Sequence, residues 1–289
     1  MLNDVMRVLI AGCGWLGQAV GRALVARGDR AVGLRRSAAA AAELAASGIE
    51  PLVADLARPG AASLLPPEVD AVVACPAPAG PGVEGYRETY LVAVGAVLER
   101  YRSRGLVSFV YTSSTGVFGK DDGTEVDERT PVDPATPAGR ILVEAERQVL
   151  DAAAEGSVAT RVVRLSGLYG PGRFGVIERV RGGQLALGPG EDHWMNLCHR
   201  EDAARAVLAA LERGEPGAIY HASDAEPVRR GELIRWVAAR LGIEPHTSDA
   251  APRGANRRVS AAWSRRRLGL ELAYPTFREG LAEAFSAGP

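Results

Sequence analysis

The chain has 289 residues, enough for one large domain or for a core domain with a smaller lobe. It is 47% hydrophobic and 24% charged with a net charge of -1, which argues against nucleic acid and against a membrane surface as partners. Residues 1–10 do not resemble a signal sequence, and the widely spaced Cys13, Cys75 and Cys198 predict buried thiols in a reducing cytoplasm.

Short β-rich segments alternate with helical patterns through the first half of the chain, which predicts βαβ units and a parallel sheet. The predicted strands are Arg7–Ala11, Arg30–Leu34, Glu50–Ala54, Ala71–Ala74, Leu106–Thr112 and Thr160–Leu165. The predicted helices are Trp15–Arg27, Ser37–Ser47, Glu84–Arg104 and Gly139–Ala154. This alternation predicts an α/β protein with a Rossmann-type, doubly wound parallel sheet.

The rhythm changes after residue 166, where segments rich in proline and glycine interrupt it. A helix over Arg200–Glu212 and a strand over Ala218–His221 are predicted next, followed by helices and loops. We therefore predict a dinucleotide-binding Rossmann domain over residues 1–166, with 196–222 returning to it. Residues 167–195 and 223–289 are predicted to form a smaller C-terminal lobe that binds the substrate.

The stretch Gly12-Cys-Gly-Trp-Leu-Gly17 follows the first strand and opens the first helix, which is the context that a G-x-G-x-x-G motif requires. Gly12 would allow the tight turn, Gly14 would let a pyrophosphate approach, and Gly17 would let the helix pack closely on the strand. The amides of Trp15 and Leu16 would then face the phosphates at the helix N-terminus. The alternative, a glycine-rich turn without a ligand, is disfavoured by this context.

The end of the second strand bears on the choice of cofactor. NAD sites usually carry an acidic residue there, which binds the ribose 2′-hydroxyl, whereas this strand ends in Arg35, Arg36 and Ser37. Two guanidinium groups and a hydroxyl suit the 2′-phosphate of NADP. The sequence favours NADP, with NAD as the alternative if the arginines only face solvent.

Further segments resemble, in order, the extended short-chain dehydrogenase/reductase superfamily, also called the NAD-dependent epimerase/dehydratase family. They are Ala54–Leu56, Ala74–Pro76, Tyr111–Gly119, Arg164–Arg173 and Asn196–Ala203. The resemblance implies that Asp55 and Leu56 contact the adenine and that Cys75 and Pro76 run past the cofactor. It also implies that Tyr169 lies against the cofactor pocket, and it places Ser114 where the family has its catalytic Ser or Thr.

The chain departs from this family at the catalytic pair. In the family, a Tyr four residues before a Lys handles the proton that accompanies hydride transfer, and the Lys lowers the pKa of the Tyr. Ala138 and Leu142 stand at the matching positions, and Gly116 stands four residues before Lys120, the only lysine. The usual acid–base mechanism therefore cannot be transferred to this chain.

Other residues could take part in proton transfer. Ser114 could polarise a substrate carbonyl, although a serine at a strand end can also satisfy only backbone groups. His193 lies in a loop rich in glycine and proline and could titrate near neutral pH, although a loop histidine without a role is the simpler interpretation. Tyr86 and Tyr90, on the helix after Pro76, are more often pocket wall or core.

Two classes of function stay open on the sequence. One is an NADP-dependent oxidoreductase or isomerase that acts on a small carbonyl or hydroxyl compound with a nonstandard proton donor. The other is a non-catalytic sensor or regulatory protein that binds NADP(H). A small-molecule substrate is expected, and Arg173, Arg179 and Arg181 weakly favour an anionic one. A homodimer is compatible with the sequence, and neither a metal site nor a Ser–His–Asp triad is recognisable.

Overall fold

A parallel sheet of seven strands runs through the computed structural model, which describes residues 5–78, 82–102, 108–251 and 254–286. The strands are β1 Arg7–Ala11, β2 Arg30–Arg35, β3 Glu50–Val53, β4 Ala71–Ala74, β5 Ser108–Ser114, β6 Glu125–Val126, β7 Thr160–Leu165, β8 Gly167–Tyr169, β9 Trp194–Met195, β10 Leu197–His199, β11 Ile219–Ala222, β12 Val228–Arg229 and β13 Arg258–Val259. The main sheet has the order β11-β7-β5-β4-β1-β2-β3, and all of its pairs are parallel.

The helices cover both faces of this sheet and build the C-terminal part. They are α1 Trp15–Ala26, α2 Ala38–Ala45, α3 Gly82–Arg87, α4 Ala93–Tyr101, α5 Pro137–Ala154, α6 Gly175–Arg181, α7 Arg200–Arg213, α8 Arg230–Leu241, α9 Ala262–Leu268 and α10 Phe277–Ser286. A π-helical turn, Glu88–Val92, joins α3 to α4, and a 3-10 turn, Thr115–Val117, follows β5.

The position of β1 determines where a ligand can bind. The chain moves outward from β1 to β2 and β3 on one side, and from β4 to β5 and β7 on the other. Ala11, the last residue of β1, is paired with Leu34 of β2 and with Ala74 of β4. At such a reversal the loops diverge and leave a crevice beyond the carboxyl ends of the strands.

The α/β Rossmann-type fold predicted from the sequence is confirmed, and most predicted elements lie within a few residues of their bounds. Strand Thr160–Leu165 is as predicted, and the last predicted strand is found at Ile219–Ala222, beside β7. The fifth strand is described over Ser108–Ser114 and ends two residues beyond its predicted end, and residues 103–107, which belong to the predicted helix and strand, lie outside the described residues. The long helix predicted from Glu84 is present as α3 and α4, joined by the π-helical turn, which the sequence did not predict.

Apolar side chains form a core on each face of the sheet and a further core in the C-terminal part. On one face, α1 and α7 pack over the sheet, and on the other face α4 and α5 do so. The further core is built from residues of α6, α8 and α10 together with Tyr169 and Leu197. The buried thiols are confirmed, since Cys13, Cys75 and Cys198 are all free and buried.

A buried ion pair joins α5 to β7 beneath the end of β5. Arg164 and Glu146 have side chains only 3% and 4% exposed, and Arg164 donates to both carboxylate oxygens, at 2.7 Å from Nη2 and 3.0 Å from Nε. Ser113 Oγ donates to the same carboxylate at 2.6 Å. The pair therefore attaches the strand that carries Ser114 to α5 and β7.

Candidate functional site

The turn between β1 and α1 requires glycine at two positions for steric reasons. Gly12 has a φ of +95°, and a Cβ built on it would overlap the carbonyl oxygen of Cys75. A Cβ on Gly17 would lie 2.7 Å from the Gly12 carbonyl oxygen, so the helix could not approach the turn as closely. At Gly14 the space is open, with Arg35 Nη1 nearest at 3.8 Å, which leaves room for a ligand against the backbone.

The start of α1 presents amide groups to this open space. The first amides of a helix have no partner inside it, and here they belong to Trp15, Leu16 and Gly17. The side chain of Leu16 is buried in the core. These residues fit a pyrophosphate through their backbone, because free amides and the helix dipole favour an anion.

The Trp15 side chain connects α1 to the C-terminal half of the chain. Its indole N–H donates to the carbonyl oxygen of Pro171 at 2.9 Å. The guanidinium groups of Arg173 and Arg200 lie over its ring, at 5.4 and 5.0 Å from the centroid. Trp15 thereby holds the loop after β8 beside the glycine turn.

A cavity of about 600 Å³ opens beside the glycine turn, across the carboxyl ends of β1, β2 and β4. This volume is in the range of small-molecule and cofactor sites. Most of the residues that the sequence predicts for the cofactor site line this cavity, as do Glu88 and Thr89 of the π-helical turn. The predicted residues in its wall are Gly12, Gly14, Arg35, Arg36, Ser37, Asp55, Leu56, Cys75 and Pro76.

The two arginines after β2 differ in how they are held. Arg35 is half-buried, and its Nη1 donates to the Cys13 carbonyl oxygen at 2.9 Å, so the guanidinium is fixed beside the turn. Arg36 is exposed, and neither arginine has a carboxylate partner in the described ranges. Ser37 Oγ accepts a hydrogen bond from the Ala40 amide at 3.3 Å and caps α2, while its own proton stays available.

Two opposite parts of the cavity wall are formed by the ends of β3 and β4. Asp55 Oδ1 accepts from the Ala57 amide at 3.3 Å, which shapes the turn after β3, and Leu56 is buried beside it. Cys75 follows β4, where burial raises the pKa of its thiol to about 12, and burial does the same for Cys13. Both sulfurs are therefore neutral and apolar at neutral pH.

Ser114 ends β5, and its hydroxyl has one backbone contact. Its Oγ accepts a hydrogen bond from the Gly116 amide at 3.1 Å and caps the 3-10 turn. The hydroxyl proton remains free to donate to a ligand. A Cβ built on Gly116 would lie 3.3 Å from this Oγ and 3.8 Å from Leu142 Cδ1, so Ser114 and Leu142 lie near one another on either side of Gly116.

The π-helical turn brings a phenol to the same region. Tyr90 packs against the cluster of Val117 and Leu142 and stacks on Tyr86, with 5.3 Å between ring centroids. Burial raises the pKa of Tyr90, and its hydroxyl has no hydrogen-bond partner among the described residues. A π-helical turn inside a helix often marks a functional site, because it redirects side chains.

Two predicted residues lie elsewhere. The contacts of the described residues do not join the His193 ring to Ser114; its backbone is bound to Gly190 and Arg230. Tyr169 is 3% exposed in the C-terminal core, and its hydroxyl donates to the Thr276 carbonyl oxygen at 3.5 Å. Their catalytic and cofactor roles stay predictions.

His199 is buried at the end of β10. Its Nδ1 accepts from the Glu201 amide at 3.4 Å, and its ring packs on Tyr274 with 3.6 Å between centroids. Burial lowers the pKa of this histidine.

The arginines singled out in the sequence do not converge on a site. Arg173, Arg179 and Arg181 are exposed, and Arg181 pairs with Glu178 at 2.6 Å. Sequence reasoning missed Arg257, which is 8% exposed and donates to the carbonyl oxygen of Thr115 at 2.7 Å. Nothing in the local pattern around Arg257 distinguishes it from its neighbour Arg258.

Comparison with known proteins agrees with this geometry. The profile of the NAD-dependent epimerase/dehydratase family matches residues 8–223. The chain belongs to this family. Protein YeeZ of Escherichia coli K12 is 31% identical over 280 residues, which cover 93% of this chain and 96% of YeeZ.

Two further similar proteins extend the comparison. The 2-alkyl-3-oxoalkanoate reductase of Stenotrophomonas maltophilia is 31% identical over 82% of this chain and 76% of its own length. The fold is shared with a short-chain dehydrogenase/reductase superfamily protein from Agrobacterium tumefaciens, solved with bound NAD. That structure has a TM-score of 0.84, with 22% identity over 97% of this chain and 96% of the other. Within the described ranges, no helix is long and apolar enough to cross a membrane.

Proposed function

We propose that this family member is an NADP(H)-dependent reductase of a small carbonyl compound. The observation that carries the proposal is the cavity at the glycine turn, which combines the open space at Gly14 with unpaired guanidinium groups at Arg35 and Arg36. The relative from Stenotrophomonas maltophilia, named as a reductase, supports this reaction class. We propose that residues 167–195 and 223–289 form the substrate-binding lobe.

The residues present fit a dinucleotide along the whole cavity. The amides of residues 15–17 would hold the pyrophosphate, Asp55 and Leu56 would line the adenine, and Arg36 would bind the 2′-phosphate. When bound, the reduced cofactor supplies a hydride. The chain itself orients the substrate, since Ser114 Oγ can donate a hydrogen bond to the carbonyl oxygen that becomes negative as it is reduced.

Tyr90 is a better candidate than His193 for the proton donor. Tyr90 packs against the cluster that contains Val117 and Leu142, and Val117 lies three residues after Ser114, whereas backbone hydrogen bonds hold His193 in another loop. Burial raises the pKa of the Tyr90 phenol, so the phenol is protonated at neutral pH. It can give this proton to the substrate oxygen as that oxygen becomes negative. In the reductive direction the Tyr90 O–H bond breaks as the new substrate O–H bond forms, and water from the cleft returns the proton to the phenolate.

Cofactor selectivity tests the first part of the proposal. We expect Arg36→Ala to weaken NADPH binding about ten- to hundredfold and to leave NADH binding unchanged, since one charge-assisted hydrogen bond contributes roughly 1.5–3 kcal/mol. Calorimetric titration with both cofactors measures this. Arg30→Ala, at the opposite end of β2, is the matched control and should change neither affinity. Equal affinity of the unaltered protein for the two cofactors would contradict the assignment.

Turnover tests the second part. With a carbonyl compound that the protein reduces, we expect Ser114→Ala to lower kcat about 10²–10³-fold, and Tyr90→Phe to lower it about 10²–10⁴-fold. Neither variant should change the Kd of NADPH, because neither side chain faces the phosphates. Tyr86→Phe, on the ring stacked against Tyr90, is the control and should keep its rate. A Tyr90→Phe enzyme with normal kcat would exclude this donor.

The same purified protein decides between a reductase and a sensor that binds NADPH without reducing a substrate. NADPH oxidation is followed with a panel of ketones, aldehydes and oxo acids. Tight NADPH binding without oxidation on any member of the panel would favour a sensor.

A further inference from the structure

Three arginines are buried among the described residues, and one of them lacks the partners that the others have. Arg164 is paired with the carboxylate of Glu146. Arg161 donates to the Gly214 and Ala159 carbonyl oxygens and to Ser108 Oγ, at 2.6–2.9 Å. Arg257 makes a single hydrogen bond, from Nη2 to Thr115, and its buried Nε has no partner.

The position of Arg257 is fixed by its backbone. Its carbonyl oxygen accepts from Asn196 Nδ2 at 2.9 Å, and the amide of Val259 donates to Asn196 Oδ1 at 2.7 Å. Strand β13 then pairs with β6 at Glu125 and Val126. Held from both sides, the segment directs Arg257 to the 3-10 turn after Ser114, while Arg258 lies near the Trp194 ring, 5.6 Å from its centroid.

Burying a cation without a partner costs free energy, so a buried guanidinium is expected to have a group that offsets this cost. No carboxylate lies within ion-pair distance of Arg257 in the described part of the chain. Burial lowers the pKa of Arg257, and the nearby Asp121 offsets this only in part, because it lies beyond ion-pair distance and its Oδ1 already accepts from the Asn256 amide. The guanidinium therefore keeps unused donors at the carboxyl end of β5, the edge of the sheet at which ligands of such folds bind.

We propose that Arg257 binds a carboxylate of the substrate, close to the carbonyl that Ser114 polarises. The substrate class is then a short oxo acid, whose carboxylate and reacting carbonyl are separated by only a few bonds. A guanidinium fork matches a planar carboxylate with two hydrogen bonds, which would use donors that the protein leaves unpaired. This inference rests on the proposed reductase function for the reacting carbonyl, although binding of the carboxylate can be tested without turnover.

The first experiment measures binding. The probe is a saturated carboxylate that cannot be reduced, titrated by calorimetry into the complex of the protein with NADP+, and its methyl ester is the neutral comparison. We expect the acid to bind at least about tenfold more tightly than the ester, since one charge-assisted hydrogen bond corresponds to about that factor. Arg257→Gln should remove this preference, and Arg258→Gln, one residue away, should keep it.

The second experiment measures turnover of an oxo acid and of its methyl ester. We expect Arg257→Gln to lower kcat/KM for the acid at least tenfold, mainly through KM, and to leave the ester unaffected. If the unaltered protein reduces ester and acid equally well, the inference fails while the reductase function stands. If the acid binds through Arg257 but nothing is reduced, the reductase function fails and the anion site stands. Should Arg257→Gln not fold, the comparison of acid and ester on the unaltered protein still decides, and equal binding would overturn the inference.

Discussion

Replacing Gly12 by alanine is expected to weaken NADPH binding more than tenfold and to destabilise the fold. An L-residue at a φ of +95° costs about 1–2 kcal/mol, and the new Cβ would also overlap the Cys75 carbonyl oxygen. The turn must therefore move away from β4, and the amides at the start of α1 move with it. Loss of one amide–phosphate hydrogen bond, worth about 1.5–3 kcal/mol, gives a tenfold or larger rise in Kd.

Gly28→Ala is the matched control for this variant. Gly28 has the same φ of +95°, but nothing lies within 4 Å of a Cβ built there. The free energy of unfolding of this variant should fall only by the backbone strain that alanine introduces, about 1–2 kcal/mol. Its affinity for NADPH should be unchanged. Urea unfolding and calorimetric titration measure both quantities. Equal losses in the two variants would show that the close approach of Gly12 to Cys75 has no role.

Replacing Glu146 by glutamine is expected to lower the free energy of unfolding by about 3–5 kcal/mol. The substitution keeps the volume of the side chain but leaves the charge of Arg164 buried without its carboxylate. It also removes the charged acceptor of the hydrogen bond from Ser113, which is the neighbour of Ser114 in the chain. A loss of this size is a large fraction of the stability of a typical domain, which is about 5–15 kcal/mol.

The control for Glu146→Gln is a surface ion pair with a similar distance between nitrogen and oxygen. Glu178 and Arg181 lie 2.6 Å apart with side chains 67% and 53% exposed, so Glu178→Gln should change stability by less than about 1 kcal/mol. Replacing both buried partners with apolar residues, as Glu146→Leu with Arg164→Met, should restore much of the loss, because no charge is then left unpaired. Urea unfolding of the four proteins tests this, and a Glu146→Gln variant as stable as Glu178→Gln would refute it.

The cavity at the glycine turn could be predicted from the sequence because its determinants are local. The glycines, the strand before them and the helix after them lie within about a dozen consecutive residues, and the spacing itself encodes the turn. Arg35, Arg36 and Ser37 were found in the same way, because the end of a second parallel strand lies beside the end of the first. Parallel pairing places these strand ends at one edge whatever the details of packing.

The side chains around Ser114 and Thr115 could not be predicted in the same way. Arg257 reaches Thr115 across 142 positions of the chain, through a backbone segment held by Asn196 and β6. Tyr90 lies in a π-helical turn that interrupts a pattern typical of one long helix, and it packs against the cluster that contains Leu142. His193, chosen for its chemistry, is held in another loop.

By itself, the sequence determined the fold class and the family of this protein and predicted most of the residues that line the cavity at the glycine turn, because short-range periodicity and a contiguous motif carry that information. It also showed that the family's Tyr–Lys pair is missing, since that is a matter of which residues are present. Only the tertiary structure decided which side chains lie beside Ser114, because this depends on contacts between segments that are far apart in the chain. Burial is likewise decided only by the fold, which removes the Arg257 guanidinium from water and leaves its Nε without a partner among the described residues.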